Sequence, residues 1–220
     1  MSTRPRGETL HPKELELLEW EIQKAQFEAK LAEIEYATRF DGERDRTVKT
    51  GRIRHLYLND VISGSNSDKW LDALQHWERR DPGEPVSIDI NSPGGSITDG
   101  LAIYDQIRRM QRKGHEVTTR GIGIVASMAG VLLQAGDVRQ MDARCKLLIH
   151  EGSVTLSGTY SVGEQEDHRA FRDMLLNDVL DILASRSTLT KRQIQNRWKR
   201  KDWWMTADEA LKLGFVDAVE

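Results

Sequence analysis

Between Gly121 and Gly136 the chain carries no charged side chain, although 30% of its residues are Asp, Glu, Lys or Arg. Such a run belongs in the interior, so the fold must be built around it. It is shorter than the roughly 20 apolar residues that a membrane crossing needs, which leaves a buried core segment. Within it the pattern changes. An apolar strand from Val117 to Val125 gives way to a more helical apolar segment, and Ser127 stands at the change, in the run G-I-G-I-V-A-S-M-A-G. A serine there either packs a tight strand-to-helix corner or attacks a carbonyl. Ala126, Ala129 and Gly130 leave room for a substrate, and the residue after the serine offers a free N–H.

The flanking segments alternate between strand and helix patterns. Ile53 to Leu58 reads as a strand and Asp68 to Trp77 as a helix, with Asp81-Pro82-Gly83 as a turn. Val86, Ile88 and Ile90 alternate with Ser87 and Asp89, the period of a half-buried strand. Asn91-Ser92-Pro93-Gly94-Gly95 breaks the chain before Leu101, Ile107 and Met110 mark a helix. Cys145 to Ile149 is a further strand, ending at His150. From Glu164 to Arg186 a long helix gathers Phe171, Met174, Leu175, Val179, Ile182 and Leu183 on one broad face, as core packing would require. Before it, Glu151 to Gly163 is rich in Gly, Ser and Thr, an extended peptide-pairing segment or a mobile loop. Thr206 to Glu209 forms a capping box that opens a last short helix. The alternation implies a layered α/β core.

The first residues follow other rules. Residues 1–11 are expected to be a flexible N-terminus, 12–37 an amphipathic helix with Pro12 in its first turn, and 38–51 a charged linker. Leu15, Leu18, Ile22, Ala25, Ala29, Ala32 and Tyr36 make one stripe of the helix; Leu17, Trp20, Phe27, Leu31 and Ile34 make another, interrupted by Lys24. An offset of two positions, about 200° around the axis, puts the stripes on nearly opposite faces. The helix is therefore expected to touch two neighbours, other subunits among them. The alternative is a helix lying across its own domain with one stripe partly exposed.

Composition removes several functions. A net charge of −3 gives no global attraction to nucleic acid or an anionic membrane. The single cysteine, Cys145, cannot form an internal disulfide, and no Cys and His cluster has zinc spacing, so no metal or cofactor is expected. No secretory signal pattern opens the chain, and a reducing, cytoplasmic setting is the expectation. No phosphate-loop motif occurs, so ATP hydrolysis by this chain is not expected.

Three motifs stand in order: I-N-S-P-G-G-S-I-T-D-G-L-A-I-Y-D, then A-S-M-A-G, then L-I-H. In that order they resemble the ClpP-type serine peptidases, over roughly Arg52 to Val219. The resemblance implies a ClpP/crotonase-like ββα superhelix with a handle helix over residues 52–220, here preceded by the extra N-terminal helix. It implies a Ser-His-Asp triad of Ser127, His150 and Asp202, with Asp202 taken from D-W-W-M-T-A-D-E-A before the final helix. It implies an oxyanion hole from the N–H groups of Gly95 and Met128, and an extended peptide held between Ser96 and Ile97 on one side and Gly152 and Ser153 on the other. The bland readings are a core histidine for His150, a surface carboxylate paired with Lys199 or Lys201 for Asp202, and a simple turn for the glycines.

The implied substrates are unfolded polypeptides or short peptides, cleaved with a loose apolar preference. The implied assembly is a homo-oligomeric ring, a heptamer or double heptamer, with a separate ATP-driven unfoldase as a candidate partner. Two local features differ from the family pattern. Arg197-Trp198-Lys199-Arg200-Lys201 lacks the acidic residues that commonly pair between rings, and His150 is followed by Glu151-Gly152 rather than Gln-Pro. A phage protease of the same fold that processes capsid or scaffold, and a non-catalytic ring subunit, are the alternatives. A crotonase-type acyl-CoA enzyme would share the fold without needing this serine and histidine. A serine-lysine signal peptide peptidase would need a membrane segment.

Overall fold

The computed structural model describes residues 53–80, 82–152, 161–199 and 201–220. The expected N-terminal helix, the charged linker, Ser153 and Asp81 lie outside these residues. Every second residue of β1 (Arg54–Leu58) and β2 (Val86–Ser92) is buried, and the strands pair in parallel with Leu56 opposite Ile88 and Leu58 opposite Ile90. β3 (Val117–Ala126) joins β2 in parallel, with a register shift between Ile90 and Ser92. Two helices make these parallel connections. α1 (Gly64–Arg80) lies between β1 and β2 and buries Trp70, Ala73, Leu74 and Trp77. α2 (Ile97–Arg112) lies between β2 and β3 and buries Ile103, Ile107 and Met110.

After β3 comes α3 (Met128–Leu133), all six of whose residues are buried. From Val125 to Gly136 the uncharged run is buried apart from Ser127, whereas Gly123 is exposed. β4 (Val138–Met141) and β5 (Lys146–Ile149) both pair in parallel with β3, β4 along Thr118–Gly121 and β5 along Ile124–Ala126. One long strand thus serves two partners in succession, and its C-terminal end belongs to β5. The rest is α4 (Val162–Ser185), α5 (Lys191–Trp198), β6 (Trp203–Thr206), α6 (Ala207–Lys212) and β7 (Ala218–Val219). β6 adds to β5 antiparallel, and β7 adds to β4. The result is a mixed α/β fold on a largely parallel sheet, as expected.

The long helix α4 departs from the sequence reading. Only Val179, Leu180 and Leu183 are buried, whereas Phe171 is 53% exposed and Met174 66% exposed. Core packing within the described residues accounts for its last turns alone.

Arg139 secures the C-terminal part. Its buried guanidinium donates to Gln134 Oε1, to the carbonyls of Arg186, Gly214 and Phe215, and to both oxygens of Asp217. Burial opposes ionisation of Asp217, but the Arg139 hydrogen bonds and charge outweigh it and hold the carboxyl below its ordinary value of 3.8. A carboxyl depressed in the folded state stabilises fully above the unfolded value, and that contribution is lost as pH falls through the folded value. Asp217→Asn should therefore lower Tm by several degrees at neutral pH, and the gap should narrow below pH 3.8. Thermal melts of both proteins across that range check this; a gap unaffected by pH would contradict it.

Candidate active site

Ser127 has φ 57° and ψ −124°, and among the described residues it is the one non-glycine residue with positive φ. The two elements it joins impose that conformation. Its N–H continues the ladder to β5 by donating to Leu148 O at 2.9 Å, while its carbonyl already accepts from Gly130 N–H at 2.9 Å inside α3. Strand and helix meet with no residue to spare, and strain collects at the junction. A serine before a helix usually caps it with its hydroxyl. Here the side chain makes no capping bond; instead Ser127 Oγ lies 2.7 Å from His150 Nε2 in a hydrogen bond.

The strand register accounts for the meeting. Ala126 pairs with Leu148 in parallel neighbours, so Ser127 and His150 both emerge just past the C-terminal ends of β3 and β5. That is where parallel sheets hold their ligands. Ile149 pairs with Trp203 in the antiparallel β5 and β6 pair, so the next pair outward is His150 with Asp202. Asp202 Oδ1 lies 3.3 Å from His150 Nδ1, with side-chain exposures of 58% and 30%. A carboxylate on that side favours the proton on Nδ1 and leaves Nε2 free to accept from the serine.

The S-P-G-G turn abuts the same spot. Ser92 Oγ accepts from Gly94 N–H at 3.1 Å and donates to Asp60 O at 2.6 Å, which fixes the turn. Gly94, at φ 91°, comes so close that a Cβ there would lie 2.5 Å from Ala126 O, 2.7 Å from Ser127 Cβ and 2.9 Å from Met128 N. Ile62 donates to Gly94 O and accepts from Ser96 N–H, a parallel bridge that turns the Gly95 N–H away from Ile62. Among the described residues, no hydrogen bond engages the N–H of Gly95 or of Met128. Met128 is itself seated by an absence: a Cβ on Gly100 of α2 would lie 2.3 Å from Met128 Cγ.

The four residues expected to hold substrate have different surroundings. Ser96 N–H donates to Ile62, its carbonyl accepts from Gly100, and its hydroxyl caps α2 at Asp99 N. Its polar groups are committed to the fold. Ile97 and Gly152 face each other, since a Cβ on Gly152 would lie 3.2 Å from Ile97 Cδ1 and 3.2 Å from Leu176 Cδ2. Ser153 is outside the described residues. Beside Ser127 lies a small apolar cavity of about 30 Å³, walled by Ile97, Met128, Val131, Leu176, Val179 and Trp198 among others.

A model of the Clp protease family matches residues 43–220, most of the chain. The chain belongs to the Clp protease family. It is similar to ATP-dependent Clp protease proteolytic subunit 2 of Tropheryma whipplei, 41% identical over 76% of this chain and 90% of that protein. The corresponding subunit 2 of Rhodococcus jostii is 32% identical over 76% of this chain and 84% of that protein. The proteolytic subunit of Porphyromonas gingivalis is 33% identical over 76% and 73%. As a Clp protease the chain is a serine-type peptidase.

Some residues of this Clp protease site are not visible in the sequence motifs. Leu176 and Trp198 reach the cavity from α4 and α5, far along the chain, and only the packing of those helices brings them there. Gly100 carries a signal only in hindsight, as a glycine in the first turn of a helix. Among the described residues, no helix is long and apolar enough to cross a membrane.

Proposed function

We propose that this Clp protease family member hydrolyses peptide bonds of unfolded polypeptides or short peptides through Ser127, His150 and Asp202. The carrying observation is the unbroken chain of contacts from Ser127 Oγ through the His150 ring to Asp202. Ser127 attacks the scissile carbonyl as His150 Nε2 takes the hydroxyl proton, and His150 then gives that proton to the leaving amine. Water repeats the sequence on the acyl-enzyme. Asp202 orients the ring and stabilises the imidazolium. The Gly95 and Met128 N–H groups face the developing oxyanion, each worth about 100-fold to 1000-fold in rate.

Asp202→Asn keeps the shape and loses the charge, so turnover of a fluorogenic peptide should fall about ten-thousand-fold. Unchanged turnover would reject the triad. Gly94→Ala forces a Cβ against Ser127 and Met128, and should cost at least about 100-fold in kcat, on the scale of one lost oxyanion donor. Thermal melts establish that either variant is folded before its rate is compared.

Substrate enters as an extended strand between Ile97 and the stretch that begins at Gly152, with an apolar side chain in the cavity beside Ser127. The exposed Phe171 and Met174 on α4 support association of subunits through that helix, in a ring of seven or a pair of such rings. The relatives' names include ATP dependence, and this reading assigns that to a separate unfoldase. Native mass measurement of the chain, and of Phe171→Glu/Met174→Glu, tests the assembly. A heptamer multiple that the double substitution dissociates is expected; a monomer in the unsubstituted chain would contradict it.

A further inference from the structure

Two spaces share two walls, and one of them adjoins Ser127. The small apolar cavity of about 30 Å³ has Leu176 of α4 and Trp198 of α5 among its walls. On their far side lies a half-open groove of about 520 Å³, bordered by Glu151, Asp173, Asn177 and Asn196. The Leu176 and Trp198 side chains are the partition between them. We infer that Trp198, backed by Leu176, determines specificity by restricting the residue whose carbonyl is attacked, P1, to small side chains. This rests on the peptidase reading above and narrows its substrate class.

The size argument is direct. By the same measure the space beside Ser127 is about 30 Å³ and the groove about 520 Å³, so the Ser127 side is much the tighter of the two. A benzyl side chain is therefore more crowded on the Ser127 side than it would be with the wall removed. Trp198 resists moving: it is 4% exposed, and with Ile194 it forms the buried face of α5. Its neighbours fix the same turn. Arg197 stacks over the Trp203 ring at 5.2 Å, and Lys199 N–H donates to Gln195 O at 3.1 Å. Truncating the indole would join the cavity to the groove, where a large side chain has room and polar groups at its far end.

The test uses the full chain and two peptidyl diphenyl phosphonates that differ only in P1, alanine or phenylalanine, with the rate of Ser127 labelling read by intact mass. Wild type should favour the alanine compound by about tenfold to 200-fold, the scale on which a pocket resolves small changes in side-chain size. Trp198→Ala should bring that ratio to one or reverse it, and Leu176→Ala should lower it from the opposite wall. Trp198→Phe retains a ring and should give an intermediate ratio; with Leu176→Ala it decides the matter if Trp198→Ala does not fold. A wild-type ratio at or below one overturns this inference, as does a ratio unmoved by the wall substitutions. If a small fluorophosphonate labels Ser127 in either of those cases, the peptidase reading survives and only the partition is lost. No labelling of Ser127 by any of these compounds would overturn both.

Discussion

Ser127→Ala should lower kcat/KM for peptide hydrolysis by about a million-fold while leaving the fold intact. On the proposed mechanism the substitution removes the attacking oxygen and little else. Its hydroxyl caps no helix and bonds only the His150 ring among the described residues, and alanine tolerates φ 57° no worse than serine does. A residual rate above water should remain, because the proposed backbone donors at Gly95 and Met128 are untouched by the substitution. Steady-state kinetics with a fluorogenic peptide, alongside a thermal melt, reads both halves. Activity that survives in a folded variant would mean that another group attacks.

His150→Ala should cost about as much, near a million-fold, and combining it with Ser127→Ala should cost no more than either alone. A serine hydroxyl hardly ionises at neutral pH, so without a base its oxygen is a poor nucleophile; without the oxygen, the base has nothing to activate. Residues acting in one step are not additive, and that pattern separates a shared step from two independent structural defects. Measured losses that multiply in the double variant would show His150 and Ser127 acting apart.

Part of the sheet was legible because β1 and β2 bury every second residue. Val86, Ile88 and Ile90 alternate with polar residues, and this period leaves one pleat for the core. The core status of most of Gly121 to Gly136 followed from its lack of charge alone. Pairing was not legible. That β3 splits its length between β4 and β5 is a long-range property, and the meeting of Ser127 with His150 depends on it.

The missed elements are short. α5 offers Ile194 and Trp198 as its buried residues within K-R-Q-I-Q-N-R-W, too few to announce a period. β4 and β6 span four residues each, and their strand character comes from a partner. α1 is longer at both ends than the Asp68 to Trp77 pattern, because Arg79 and Arg80 suit a helix C-terminus while adding no apolar signal. Local charge also misleads about burial. His115 sits between Gly114 and Glu116, yet it is 2% exposed and bonds Glu84 O through Nδ1 at 2.8 Å. The apolar face of α4 misleads in the other direction, since periodicity cannot tell a helix buried in its own domain from one whose apolar residues remain exposed.

The most direct measurement is covalent labelling of the full-length chain by a fluorophosphonate, with the modified residue identified by peptide mass mapping. The phosphonyl group should be found on Ser127, and labelling should vanish in Ser127→Ala and fall to background in His150→Ala. A label on another residue, or equal labelling of the His150→Ala protein, would contradict base-assisted attack by Ser127.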